Sequence, residues 1–458
     1  MTIRRVLVGL LVLLSLIALS CSGGDTIATD VSGGGAVINS GSSDADAVAI
    51  DVSSGLEGAD ASQPSDTNEP SDTNEPADSN ASPVDADAVN DDGTGPMKVG
   101  FVSTLSGGAA YIGEDLRDGL QLALDLDNSY PIDLVTADDG QDPSLGLQAA
   151  QQLLQEENID LMTGVIFSNI ALAIVPEVVG RDMIYMSPNA GPSALAGADC
   201  HENFFNVAFQ NESFAEAIGA YLSAEAVGET YLMAPDYQAG YDVLAGFKRT
   251  FRGTIAGEAY TELGATDYAA AIKEMAATEP DSLFIYYPGG MGISFLTQYA
   301  EAGLTTQIPL YATAANGDET IVDIVGEASL GLINSSQWSN DLDNEANLEF
   351  VSEFVATYGR KPTDFASQGY DTGRLLLSAL KRTGGNYTDT AALRDAIRAT
   401  DFESVRGDFA FGANQYPIQS WYIRQVVEGR APGDLTNQTL ATVLPNHGDA
   451  YAADCGLG

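Results

Sequence analysis

The residues best suited to hold a small molecule lie at Phe167-Ser168-Asn169, between the apolar run Asp160–Ile166 and a stretch with helical periodicity, Ile170–Val179. A helix start presents N–H groups without intrahelical partners and the positive end of the helix dipole. A serine cap there can grip a carboxylate with no cationic side chain nearby. Catalytic arrangements are scarcer. The two histidines, His201 and His447, have no metal-ligand spacing, and no G-x-S-x-G elbow or phosphate-cradling loop occurs. Asp138-Asp139 could form a carboxylate pair, but it follows a strand-like run, and Asp142-Pro143 reads as the cap of the next helix. No catalytic residue, metal or cofactor is expected, and the chain is not read as an enzyme.

These residues need a scaffold, and it begins at Met97. Lys98–Thr104 is a β-branched and aromatic run, Ser106-Gly107-Gly108 breaks it, and Leu116, Leu120, Ala123 and Leu124 then share one helical face. Strand, small-residue turn and amphipathic helix open an α/β domain, with the turn at the carboxyl end of a strand, where open α/β sheets bind ligands. Alternation continues through Ile132–Ala137, Leu147–Leu154, Ile159–Val165, Ile170–Val179 and Met183–Met186. A second series runs from Phe214 to Ala312. Strands alternating with helices of this length predict parallel sheets, and the length suffices for two lobes.

The N-terminus reads as an address. Arg4 and Arg5 precede an apolar run, Val6–Leu19, too short to span a bilayer, ending at Ser20-Cys21-Ser22-Gly23. Residues 1–21 are therefore expected to be a secretory signal, and its terminal cysteine resembles a lipoprotein box, which makes Cys21 the lipidated residue. Residues 22–96 contain no Lys, Arg or aromatic residue and repeat Pro64–Glu69 as Pro70–Glu75. With so little apolar surface to bury, they are expected to form a disordered acidic linker. The formal net charge of −46 and pI near 4.1 exclude nucleic acid as a partner. Beyond Cys21 only Cys200 and Cys455 remain, and in an exported chain they are expected to pair.

From Met97 on, the sequence resembles the leucine/isoleucine/valine-binding family of solute receptors that feed ABC importers. The resemblance rests on Met97–Asp125, Asp138-Asp139-Gly140-Gln141-Asp142-Pro143, Ser187-Pro188-Asn189-Ala190, Ala239-Gly240 and Gly369-Tyr370-Asp371, in this order. It is nearest to members linked to aromatic-acid uptake. It implies an α/β fold of two Rossmann-like lobes with parallel central sheets, joined by three crossovers around a ligand cleft (the type I periplasmic-binding fold). The lobes are expected at about 97–209 with 340–415, and 210–339 with 416–458.

The resemblance also implies a site. Ser168 matches the family serine that grips the substrate carboxylate, with Asn169 beside it, and Asn189, Ala190 and Gly191 match the next ligand loop. Ile112 and Ala239 stand where relatives carry tyrosines, with Tyr111 beside the first and Tyr237-Gln238 before the second. Where amino-acid binders place an acid for the α-ammonium, this chain has Pro288-Gly289-Gly290-Met291-Gly292. Ligand contacts are thus expected from Ser168, Asn169, Asn189, Ala190, Gly191, Ile112, Tyr237, Gln238, Gly289, Gly290, Phe365 and Gln368, with Trp338 a lesser candidate. An uncompensated buried ammonium would cost several kcal/mol. The expected ligand is therefore a small carboxylate with an aromatic body, delivered to ABC permease subunits by a lipid-anchored, extracytoplasmic monomer. The alternatives are a branched-chain amino-acid receptor of the same family, or a sensor for a membrane receptor.

Overall fold

The computed structural model describes residues 95–457, so the expected signal segment, Cys21 and almost all of the expected linker lie outside the described residues. The first lobe is built on a parallel sheet of β1 (Met97–Ser103), β2 (Ile132–Asp138), β3 (Leu161–Thr163), β4 (Ile184–Ser187) and β5 (Phe204–Asn206), in the order β2-β1-β3-β4-β5. Helices cover it: Met97 and Val99 pack with Leu375 and Leu376, while Val102 packs with Ile112, Leu116 and Ile170. Burial on both sides explains why β1, β3, β4 and β5 read as unbroken apolar runs, whereas β2, at the sheet edge, is half-exposed along its length. Asp142 caps the helix Pro143–Gln152, its carboxylate accepting from the N–H groups of Ser144 and Leu145.

The second lobe contains β6 (Glu229–Pro235), β7 (Thr254–Thr261), β8 (Ser282–Ile285), β9 (Leu310–Thr313) and β10 (Ile333–Ser336), parallel in the order β7-β6-β8-β9-β10. An antiparallel addition extends it: β11 (Phe409–Phe411), β12 (Pro417–Glu428) and β13 (Leu435–His447), with β12 pairing β10, β11 and β13. The sequence reading contains none of these three strands. β12 alternates buried and half-buried residues along most of its length, with Gln419, Ser420, Arg424 and Gln425 among them. It therefore lacks the continuous apolar run that marks a parallel strand.

The expected lobe boundaries need two corrections. β11, inside 340–415, is hydrogen-bonded into the second sheet, and the third crossing runs into β12: Tyr416, just before that strand, donates to Pro192 O in the first lobe, while Tyr422 within it pairs with Ser336 in the second. The chain after β13 returns to the first lobe, where Asp449 accepts from Asn414 and Cys455 is disulfide-bonded to Cys200, with Cα atoms 5.7 Å apart.

The crossings are tied together by buried cations. Arg406, just before β11, donates Nε to Asp371 (2.8 Å), Nη1 to Ala208 O (3.0 Å) and to Gln419 Oε1 of the third crossing (3.0 Å), and Nη2 to Val207 O (2.8 Å). Val207 and Ala208 begin the first crossing. At the second, Arg424 donates to Asn334 Oδ1 and to Trp338 O, while the Trp338 indole donates to Asn347 at 2.6 Å. Trp338 is thus a core residue of the crossing.

Candidate ligand-binding site

In each sheet the strand order reverses beside the first strand: between β1 and β3 in one lobe and between β6 and β8 in the other. At such a switch point neighbouring connections leave in opposite directions and open a crevice at the carboxyl ends of the strands. The chain leaving these strand ends supplies Ile112, Ile166 and Phe167 from the first lobe and Tyr237, Tyr286 and Pro288 from the second, and all six line one cavity. The remaining walls are Asn189, Phe209, Asn211, Phe214, Val243, Ala315, Asp364 and Phe365. The centres of water-sized spheres find only ≈ 20 Å³ in this cavity, and all its non-atom space, open solvent included, amounts to ≈ 420 Å³. Between the walls there is thus room for about one water molecule. A ring-bearing ligand therefore enters by separation of the walls.

The walls are mostly apolar, and no lysine or arginine is among them. The rings of Phe167 and Tyr237 lie 6.2 Å apart across the lobes, and the Tyr237 and Tyr286 hydroxyls share a hydrogen bond of 2.9 Å. Burial pushes both tyrosine hydroxyls up, so they remain neutral donors.

Ser168 is the first residue of the helix Ser168–Val179, and the cap position belongs to Phe167, which makes no side-chain cap bond. The expected serine cap is thus displaced by one residue, because the Phe167 carbonyl already accepts from Ile170 and Ala171. The Ser168 hydroxyl accepts from Asn211 Nδ2 at 3.0 Å, which leaves its own proton free to donate. Asn211 is a hub that the sequence reading lacks. It also donates to Asp242 (2.9 Å), and its side-chain oxygen accepts from Gly191 N (3.3 Å). Asp242 in turn accepts from Ser193 N and Oγ and from Gln238 Nε2, which joins the first-lobe loop to the second-lobe helix Gln238–Thr250.

Of the expected contacts, Ile112, Asn189, Tyr237 and Phe365 line the cavity, while the others do not. Ser168 and Asn169 stand one step behind Phe167, and Asn169 Oδ1 is buried without a partner. Gln368 accepts from Asn189 Nδ2 at 2.8 Å and so fixes that side chain. The Ala190 carbonyl accepts from Ser187 and Asn206. Gly191 is compulsory, since a Cβ there would collide with the Phe209 carbonyl. Gln238 points to Asp242. Gly289, at φ +67°, and Gly290 lie against Gly108 and Ala109, where a Cβ would come within 3.3 Å of the Gly108 carbonyl oxygen. These glycines therefore let the lobes meet backbone to backbone, and of their loop only Pro288 lines the cavity.

The largest departure from the sequence reading is acidic. The loop after β8 carries no acid, but a carboxylate reaches the cavity from the first lobe. Asp364 opens the helix Asp364–Thr383 and is 1% exposed, and neither of its oxygens accepts a hydrogen bond from another residue. Burial pushes its carboxyl up to about 7, with Arg424 opposing the rise and Glu319 and Asp115 adding to it. Asp318, from the second lobe, is raised by burial and then by Asp364, and it accepts from the Tyr111 hydroxyl at 2.9 Å. Asp115 is pushed up to about 6 by burial, against Arg360 and Thr363. The signal was present in the sequence as Asp364 beside Phe365, but only the fold reveals that this carboxyl faces the cavity.

Paired α/β lobes whose switch points enclose an apolar cavity define a cleft-type binding fold. The chain belongs to the periplasmic binding protein family, which it matches over residues 96–431. It is similar to a solute-binding protein of an ABC transporter from R. palustris in complex with benzoate: 29% identity, TM-score 0.75, covering 79% of this chain and 100% of that one. A second ABC-transporter solute-binding protein, from Rhodopseudomonas palustris in complex with 3,4-dihydroxy benzoic acid, is 26% identical with TM-score 0.70, over 77% of this chain and 98% of that one. A Leu/Ile/Val-binding protein homolog from Brucella melitensis is 23% identical over 345 residues, 72% of this chain and 88% of the relative. Among the described residues no helix is long and apolar enough to cross a membrane, and no cluster of His, Cys, Asp and Glu could hold a metal ion.

Proposed function

We propose that this chain captures a small aromatic carboxylate outside the cytoplasm and delivers it to the permease of an ABC importer, without catalysing a reaction on it. The observation that carries the reading is the cavity where the two switch points meet: aromatic and aliphatic walls, no cationic side chain, and a helix start next to it. The ligand carboxylate would take the free Ser168 hydroxyl proton and the unpaired N–H groups of the first helical turn, while the ring lies among Ile112, Phe167, Tyr237 and Phe365. The benzoate and dihydroxybenzoate carried by two related receptors agree with this. The branched-chain alternative has one observation in its favour, the Asp364 carboxyl, which could face an ammonium. Burial, with the neighbouring acids adding to it, pushes this carboxyl toward the neutral form and argues against that role.

Replacing Ser168 by alanine should weaken aromatic-acid binding by about 1–3 kcal/mol, the cost of one hydrogen bond to a charged group. The fold should survive, since Asn211 Nδ2 keeps its bond to Asp242. Calorimetry with benzoate on wild type and variant reads this directly. Tight binding of leucine or valine with no binding of aromatic acids would reject the proposal.

Cys21 is the proposed attachment point to the membrane, with the acidic segment after it as tether. Cys21→Ser should release the protein from the detergent-rich phase of an extraction and abolish incorporation of labelled fatty acid. Retention of label in the variant would refute the anchor.

A further inference from the structure

The cavity contains a polar group that the proposed carboxylate contact does not use. Asp364 is fully buried, faces the same space as Phe365 and Ile112, and accepts nothing from any neighbouring residue. A buried carboxyl left unmatched is costly, and native structures usually give such a group a partner. The groups facing it from the surrounding elements are Arg424 of β12, Glu319 and Asp318 of the second lobe, Asp115 of the helix Ala110–Leu126, and Tyr111, whose proton goes to Asp318. None of these groups is bonded to it.

We propose that Asp364 is the specificity determinant of the cleft and receives a ring hydroxyl, so that the preferred ligand is a hydroxylated aromatic acid rather than an unsubstituted one. This rests on the aromatic-acid reading of the site. The choice of hydroxyl over ammonium follows from the surroundings. Three further carboxyl groups stand around Asp364, and burial with their charge favours its neutral form. A neutral carboxyl both donates and accepts, which matches a hydroxyl in both directions, whereas an ammonium calls for an ionised partner. A bare ring would leave both oxygens unmatched, and a site built around a buried polar group discriminates strongly against a ligand that lacks the complement.

The test is calorimetric titration of the purified protein, and of Asp364→Ala and Asp364→Asn, with benzoate, the three monohydroxybenzoates and leucine. Thermal melts would confirm that the variants fold. Wild type should bind at least one hydroxybenzoate tenfold or more tighter than benzoate. Asp364→Ala should reduce that preference to within about twofold, with hydroxybenzoate binding weakened and benzoate binding no longer penalised by an unmatched carboxyl. If the preference is absent, or survives in Asp364→Ala, the hydroxyl assignment is wrong and the aromatic-acid reading stands. If leucine binds tightly, is lost in Asp364→Asn, and no aromatic acid binds, both are wrong and Asp364 is an ammonium partner.

Discussion

Replacing Arg406 by leucine should lower the unfolding free energy by about 3–5 kcal/mol, the usual consequence of stranding one member of a buried ion pair. Arg406 and Asp371 have fully buried side chains 2.8 Å apart. Their remaining hydrogen-bonding capacity is spent on the crossings: Arg406 reaches Val207 O, Ala208 O and Gln419, while Asp371 accepts from Ser404 Oγ and Val405 N. The single replacement leaves the Asp371 charge without its counter-ion and takes the Arg406 donor from Val207 O, while Ala208 O keeps its bond from Gln419 Nε2 at 2.7 Å. Urea denaturation is the measurement. The double variant Arg406→Leu with Asp371→Leu should recover part of the loss, because it removes the uncompensated charge. A loss below about 1 kcal/mol in the single variant would show that this pair does not hold the crossings together.

The second large effect concerns pH. The Asp364 carboxyl is held at about 7 in the fold against 3.8 for an ordinary aspartate, so folding favours its protonated form. Its stabilising share is complete below about pH 4 and is lost progressively as pH rises to about 7. A pKa rise of this size corresponds to about 4 kcal/mol. Many other acids titrate over the same range, so the informative quantity is a difference. Asp364→Asn cannot ionise, so between pH 4 and pH 8 it should gain stability on wild type by about 4 kcal/mol. Parallel thermal or denaturant stability profiles for the two proteins would contradict the buried, unpaired state of Asp364.

How much of this was legible in the sequence depended on whether the signal was local. β1, β3, β4 and their helices are short-range patterns: an apolar run, a small-residue break, a 3.6-residue period. Burial on both faces writes them into composition, and the parallel lobes followed from them. The strands β11–β13 were not legible, because a sheet edge with one half-exposed face needs no apolar run. The site divided in the same way. Phe167-Ser168-Asn169 could be placed at a helix start from sequence, yet only the fold shows that Phe167 takes the cap and lines the cavity while Ser168 stands behind it. Asn211 and Asp364 were missed for another reason. Their roles come from meeting residues 43 and 46 positions away, Ser168 and Asp318, and no spacing within either neighbourhood reports that encounter.

The bonds that bridge the lobes, Ser193 to Asp242, Asn211 to Ser168, and Tyr111 to Asp318, are made by the protein's own side chains. Closure therefore has an intrinsic driving force, and a solute must compete with it for the open form that admits it. The measured dissociation constant then equals the intrinsic one divided by the fraction of molecules open, so a receptor open one time in ten binds about tenfold more weakly than its contacts imply. Loosening Ser193 from Asp242 would raise that fraction and speed capture.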